Sequence, residues 1–170
     1  MANVIDKFSG WTTELINKEL RATAHPFSVL LEQIQGDFNV GTGLRNSNAF
    51  NANEVFYYGP RKKIDRRGAV GTYHYLDLTY LPTIEDVKKL KEKYTFVGVD
   101  CVLGSVPMES FVWPKNTLMC FGEEGTGLSK ETIELCDVVV HITQYGSVRS
   151  LNVGTASGIA MYDFVNKLNK

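Results

Sequence analysis

Short apolar runs alternate along the whole chain with segments in which apolar residues recur every three or four positions. The runs have the length and composition of buried strands, and they occupy residues 27–33, 54–58, 94–100, 118–121 and 138–142. Helical patterns occupy residues 11–24, 41–51, 83–93 and 130–135 and the stretch from residue 151 onward. Strands that alternate with helices favour a parallel sheet with helices on both faces. The sequence therefore predicts an α/β fold.

Composition and charge narrow the class of protein. The chain has 170 residues without a repeat or linker, so we expect a single domain over residues 1–170. Eighteen basic and nineteen acidic residues give a net charge of −1, so any nucleic-acid surface must be local. The apolar runs are far shorter than the ~20 residues that cross a membrane, and the first ten residues lack a signal-peptide pattern. We therefore expect a cytoplasmic protein without membrane contact.

The cysteines and histidines do not indicate a metal site. The three cysteines, Cys101, Cys120 and Cys136, form no CxxC pair, and the three histidines have no metal-ligand spacing. Cys120 and Cys136 stand among apolar residues, where a small buried thiol is the expected arrangement. We therefore expect no bound metal.

Two glycine-rich stretches suggest a ligand pocket. They are FGEEGTGLS at residues 121–129 and QYGSVRSLNVG at residues 144–154, and each lies between a strand run and a helical pattern. A strand that ends in glycines and opens a helix brings backbone N–H and C=O groups to a ligand. Alone, the first stretch is equally a simple turn, because it fits neither a dinucleotide fingerprint nor a phosphate loop. Together, the two stretches predict the walls of one cofactor pocket.

The last helical pattern has an unusually thin face. Its small residues are Gly154, Ala156, Ser157, Gly158 and Ala160. Such a face packs closely on the sheet of the same chain, which is the favoured interpretation, or on a second helix across a dimer interface. Spacing alone leaves both alternatives open.

Three segments in a fixed order carry a family resemblance. They are NVGTGLR at residues 39–45, the stretch at 121–129, and SLNVG at 150–154. Together they resemble the three motifs of the SpoU/TrmH family of RNA ribose 2′-O-methyltransferases, within the SPOUT class, over residues 27–167. The resemblance implies a parallel sheet with a C-terminal deep trefoil knot, bound S-adenosylmethionine and a homodimer. Residues 1–25 then form an N-terminal helical extension of the single SPOUT domain.

The resemblance also implies roles for individual residues. Those expected to contact the cofactor are Val99, Gly122, Ile142, Ser150 and Leu151. Those expected to form the catalytic site are Asn39, Arg45, Glu124, Ser150 and Asn152, with Asn39 and Arg45 facing the ribose and the phosphate. The family assigns Arg45 the role of base. Because a guanidinium keeps its proton, we expect Arg45 instead to clamp the phosphate and to stabilise the developing alkoxide. Family members often have proline at Thr143, so we expect a looser loop there.

A basic run indicates where RNA would bind. Residues 61–67, RKKIDRR, hold five cations and one acid. Such a run is either a solvated loop or a phosphate-binding patch, and its place near the proposed Arg45 site favours the patch. The expected RNA-contacting residues are Arg61, Lys62, Lys63, Arg66, Arg67 and Arg149. A transfer RNA is the first choice of substrate and ribosomal RNA the second; the alternative function is a SPOUT-like dimer that binds RNA or cofactor without methylating.

Overall fold

The computed structural model describes residues 4–34, 38–60 and 67–168. In these residues the strands are β1 Phe27–Glu32, β2 Val55–Tyr58, β3 Leu78–Leu81, β4 Thr95–Val99, β5 Val106–Pro107, β6 Thr117–Phe121 and β7 Val138–His141. The α-helices of the same residues are α1 Thr13–Ala22, α2 Asn39–Ala49, α3 Ile84–Lys89, α4 Lys130–Leu135 and α5 Val153–Leu168. All five predicted strand runs are therefore confirmed, with ends that match or shift by one residue.

One parallel sheet organises the described residues. Its strand order is β3-β2-β1-β6-β4-β7-β5, and every neighbouring pair is parallel. The two strands that the sequence pattern missed, β3 and β5, lie at the two edges. Because β6 lies between β1 and β4, and β7 lies on the other side of β4, the carboxyl ends of β4, β6 and β7 meet at one place.

Helices cover both faces of the sheet, as predicted. Successive side chains of β1 point to opposite faces, so Val29 and Leu31 belong to one apolar cluster and Leu30 to the other. The first cluster includes residues of α2 and α5, and the second includes residues of α3 and α4. The parallel α/β fold is therefore confirmed.

Helix α2 depends on tertiary contacts more than on its own sequence. Two glycines inside a helix each cost about 1 kcal/mol relative to alanine. Here they admit close neighbours: a Cβ on Gly41 would lie 2.6 Å from the Cα of Gly68, and one on Gly43 would lie 3.2 Å from Leu31. The contact of Gly43 holds α2 against the sheet, and the contact of Gly41 holds it against the short turn Arg67–Ala69.

The thin face of α5 packs within the same chain. A Cβ on Gly154 would lie 2.9 Å from Cγ2 of Thr42 in α2, and Ala160 is fully buried. The side-chain amide of Asn46 in α2 donates to the carbonyl of Gly154 at 2.8 Å. Core packing within the chain is therefore correct for Ala160, but the neighbour of Gly154 is helix α2 and not the sheet that the favoured interpretation named.

Helix α1 lies outside the sheet and begins two residues later than the sequence pattern indicated. Thr12 caps it, because its hydroxyl accepts a hydrogen bond from the Leu15 N–H at 3.3 Å. Only Ile16 of α1 is buried, whereas Leu15 remains half exposed. No helix in residues 4–34, 38–60 or 67–168 is long and apolar enough to span a bilayer.

Candidate active site

A cavity of about 380 Å³ opens where β4, β6 and β7 end. Its walls are the two glycine-rich loops, together with the residues that follow β4. Ligands of open α/β sheets bind at this edge, outside the carboxyl ends of the strands. The sequence-derived cofactor residues all line the cavity: Val99, Gly122, Ile142, Ser150 and Leu151. Glu124, Arg149 and Asn152 line it as well.

The first glycine loop closes on itself. The backbone N–H of Glu123 donates to the carbonyl of Gly127 at 3.1 Å, and the Gly127 N–H donates back to Glu123 at 2.9 Å. A Cβ on Gly122 would lie 2.1 Å from the carbonyl carbon of Gly127. Glycine is therefore required at position 122 because the backbone of the same loop packs directly against it. Close approach of a ligand would be a second reason.

Hydrogen bonds join one residue from each of the three motif segments. Asn39 begins α2, Glu124 lies in the first glycine loop, and Asn152 precedes α5. The Asn39 Nδ2 donates to Glu124 Oε1 at 2.6 Å, across 85 positions of the chain. The Asn152 Nδ2 donates to Asn39 Oδ1 at 2.9 Å, across 113 positions. The three predicted side chains therefore form one connected group at the cavity, although Asn39 does not line it.

Arg45 lies apart from this group. It is exposed on α2, six residues after Asn39, which is about 9 Å along a helix axis. It is not among the residues that line the cavity. Its neighbour Asn46 bonds the first turn of α5.

The family model of the SpoU rRNA Methylase family matches residues 26–162. The chain belongs to this family. Among curated relatives, the "23S rRNA (guanosine-2'-O-)-methyltransferase RlmB" of Bordetella pertussis is 31% identical over 149 residues, covering 82% of this chain and 59% of the relative. The "tRNA (guanosine(18)-2'-O)-methyltransferase" of Escherichia coli K12 is 27% identical over 150 residues, covering 85% and 66%. The chain thus spans less than two thirds of the length of these relatives.

Solved structures of SpoU proteins have the same fold. The methyltransferase AviRb from Streptomyces viridochromogenes, in complex with AdoMet, superposes with a TM-score of 0.78 at 25% identity, covering 87% of this chain and 60% of that one. The A. aeolicus TrmH/SpoU tRNA modifying enzyme superposes with a TM-score of 0.79 at 24% identity, covering 92% and 84%.

The second glycine loop of this SpoU chain is fastened where a looser loop was expected. The Thr143 N–H donates to Glu109 Oε1 at 3.2 Å, and the Thr143 hydroxyl donates to Glu109 Oε2 at 3.0 Å. A proline at this position has no N–H to donate. Both donors of Thr143 are therefore bonded to Glu109, so the chain is held at this position without a proline.

The pKa of Glu109 reflects these contacts. It is lowered from its ordinary value, chiefly by the hydrogen bond from the residue's own backbone N–H. Desolvation opposes this shift, and the smaller hydrogen bonds from Thr143 add to it. The carboxylate that holds the second loop is therefore stabilised in its charged form.

Most of the predicted basic run lies outside the described residues. Arg61, Lys62, Lys63 and Arg66 lie outside the described residues, as does the side chain of Arg67. The turn that follows the run packs on α2, because Gly68 meets Gly41 two residues after Asn39. Gly68, the first residue after the run, therefore lies beside the first turn of α2.

The structure also identifies a cavity residue that the sequence analysis overlooked. Asp100 follows β4, lines the cavity and accepts a hydrogen bond from the first glycine loop. An acidic residue at the last position of the predicted strand 94–100 was the available signal. In the described part of the chain, no group of three or more His, Cys, Asp or Glu side chains could hold a metal ion.

Proposed function

We propose that this SpoU family chain is an S-adenosylmethionine-dependent methyltransferase that acts on a ribose 2′-hydroxyl of RNA. The observation that supports this most is the group formed by Asn39, Glu124 and Asn152, which joins all three motif segments beside a cavity walled by both glycine loops. We keep transfer RNA as the preferred substrate and ribosomal RNA as the second choice. Both are named because relatives that act on each of them match this chain.

The cavity fits the proposed cofactor. Its volume of about 380 Å³ lies within the range of roughly 300–1,000 Å³ that is typical of small-molecule sites. Val99, Ile142 and Leu151 give it apolar surface for a purine ring, and the glycine loops give it backbone polar groups. When bound, S-adenosylmethionine supplies an electrophilic methyl group on a positively charged sulfur.

The residues around the cavity orient the reactants. Asn39, held by Glu124 and Asn152, fixes the first turn of α2 against both glycine loops. This rigid rim aligns the ribose hydroxyl with the methyl group, an effect that can supply about 7–11 kcal/mol of the barrier. Arg45 clamps the adjacent phosphate and stabilises the negative charge that develops on the ribose oxygen. Ser150 contributes a polar group to the cavity wall.

RNA would lie over the side of the fold where α2 begins. The proposed phosphate contacts are Arg61, Lys62, Lys63, Arg66, Arg67 and Arg149. Support comes from Arg149, which lines the cavity, and from Gly68, which directly follows the basic run in the sequence and packs on Gly41 of α2. Each phosphate that a cation neutralises adds to the salt dependence of binding.

The remaining parts of the proposal follow from family membership. We expect a cytoplasmic homodimer, for which α5 offers the exposed apolar side chains of Ile159, Tyr162 and Leu168. We expect the C-terminal part to form a trefoil knot as a single SPOUT domain. Two features support the knot: β6 and β7 lie on either side of β4, and the second glycine loop bonds back to Glu109 and Cys101.

Calorimetric titration with S-adenosylhomocysteine tests the cofactor assignment. We expect one site per chain, because the two glycine loops wall one cavity. Absence of heat and of a thermal shift, with both S-adenosylhomocysteine and S-adenosylmethionine, would contradict the proposal. Binding of cofactor without any methylation of RNA would instead support the non-catalytic alternative.

A further inference from the structure

Two carboxylates hold the chain where it leaves the first glycine loop. The backbone N–H of Leu128 donates to Asp100 Oδ2 at 2.8 Å, and that of Ser129 donates to Glu32 Oε2 at 3.0 Å. Asp100 follows β4 and Glu32 ends β1, the two strands that flank β6 in the sheet. The segment that leaves β6 is therefore fastened from both sides.

Of the two carboxylates, Asp100 also forms part of the cavity wall. Its second oxygen, Oδ1, accepts the N–H of Cys101 at 2.7 Å, so both oxygens are engaged by backbone donors. A Cβ on Gly127 would lie 2.3 Å from Asp100 Oδ2, which shows how closely the loop backbone rests on this carboxylate. Glu32, in contrast, is 1% exposed and does not line the cavity.

We propose that Asp100 is a positioning residue for the cofactor: its carboxylate fixes Gly127 and Leu128 above the end of β4 and so sets the width of the cavity. The inference rests on the proposed function, since it concerns the same cofactor site. A carboxylate is required because both of its oxygens accept a backbone N–H. An asparagine has one acceptor oxygen, and its NH2 group would face the second N–H donor. Two donors in contact repel each other, so the loop would move away from β4.

The test compares the affinity for S-adenosylhomocysteine of the wild type, Asp100→Asn and Asp137→Asn. Asp137 is the matched control, because its carboxylate also accepts a strand N–H, that of Phe96 at 2.8 Å, but at the opposite end of β4. We expect Kd to rise about tenfold or more for Asp100→Asn, the effect of losing one hydrogen bond to a charged group. For Asp137→Asn we expect a Kd within about twofold of the wild type. RNA affinity without cofactor should stay near wild type in both variants, and kcat at saturating cofactor should stay near wild type in Asp137→Asn, because Asp137 does not line the cavity.

A Kd for folded Asp100→Asn within about twofold of the wild type overturns the inference. If that variant does not fold, Asp100→Ala removes both acceptors without adding a donor and is measured in the same way. Hydrogen exchange of the Leu128 N–H in the wild type provides an independent readout: strong protection supports the role of Asp100, and exchange as fast as in an open loop overturns it. If the wild type binds neither S-adenosylhomocysteine nor S-adenosylmethionine, the proposed function fails, and the Leu128 exchange still decides whether Asp100 holds the loop.

Discussion

Asn39 uses both ends of its side-chain amide, and its partners determine the direction of each hydrogen bond. The Glu124 carboxylate can only accept, so the Asn39 NH2 group faces it and the Asn39 oxygen is left to accept from Asn152. The Asn152 oxygen in turn accepts the Thr155 N–H at 3.2 Å and so caps α5. A continuous series of hydrogen bonds, each with a defined donor and acceptor, therefore connects the start of α5, the start of α2 and the first glycine loop.

Asn39→Asp should disrupt this order in a way that depends on pH. Near neutral pH the new carboxylate would face the Glu124 carboxylate, and we expect a loss of about 1–2 kcal/mol in the free energy of unfolding. At about pH 4 one of the two carboxyls gains a proton and can donate, so the loss should shrink. Urea denaturation at both pH values measures it. Asn39→Ala is the control, since its loss in the free energy of unfolding should be similar at both pH values. If Asn39→Asp also shows equal losses at the two pH values, the account is contradicted.

The contact between Glu109 and Thr143 predicts a second pH dependence. The pKa of Glu109 is lower in the folded chain than its ordinary value, chiefly through its own backbone N–H and then through Thr143. Its stabilising effect is therefore present above the ordinary glutamate pKa and is lost as pH falls through the lowered one. Thr143→Val removes the hydroxyl donor but keeps the N–H, so the pKa should move part of the way back. An NMR titration of the Glu109 carboxyl measures this; an unchanged pKa would show that the hydroxyl contributes nothing.

At the scale of elements, the contact between α2 and α5 explains the small residues of the last helix. Gly154→Ala should force α5 away from Thr42, whose Cγ2 would lie 2.9 Å from the new Cβ. Overpacking of this kind costs about 1–3 kcal/mol, measurable as a lower urea midpoint. Gly146→Ala is the matched control, because no heavy atom lies within 4 Å of its Cβ position, and its effect should be close to zero. Equal midpoints for the two variants would contradict the packing account.

The sequence predicted the elements that carry strong local signals. Helix α4 matches at both ends, since Ser129 caps it through the Thr132 N–H at 3.1 Å. The five buried strands matched because each is a continuous apolar run. Strands β3 and β5 were missed because their residues, apart from the buried Leu81, are half exposed or exposed, and they form only by pairing with β2 and β7. Helix α5 begins at Val153 rather than residue 151, because Asn152 caps it.

The parts of the candidate site that lie in the family motifs and the glycine loops were predictable from the sequence. All five expected cofactor residues line the cavity, and Asn39, Glu124 and Asn152 meet. Asp100 was not predictable from spacing, because its partner Leu128 is 28 positions away and the contact exists only once β4 and β6 pair. The exposed position of Arg45 on α2 likewise depends on how that helix packs.

At the scale of the whole molecule, the proposed homodimer has a specific test. Tyr162→Arg should convert the dimer to a monomer of 19.0 kDa without unfolding, because Tyr162 is 61% exposed on α5. Ala160→Arg should unfold the chain instead, since Ala160 is fully buried and an unpaired buried charge is costly. Light scattering and circular dichroism distinguish the two results. If the wild type has the mass of a monomer at micromolar concentration, the proposed homodimer is contradicted. If Tyr162→Arg remains a dimer, the interface lies elsewhere on the molecule.

The most direct test of the whole account is methyl transfer from labelled S-adenosylmethionine to unfractionated transfer RNA and ribosomal RNA, followed by mass spectrometry of the digested nucleosides. The account predicts that the wild type yields a 2′-O-methylated nucleoside. Arg45→Ala should bind cofactor normally but lose about 10²–10³ in turnover, the scale of losing one group that stabilises a developing oxyanion. A wild type that methylates neither RNA, or that places the methyl group on a base, would contradict the proposed function; full activity in Arg45→Ala would contradict the role of Arg45.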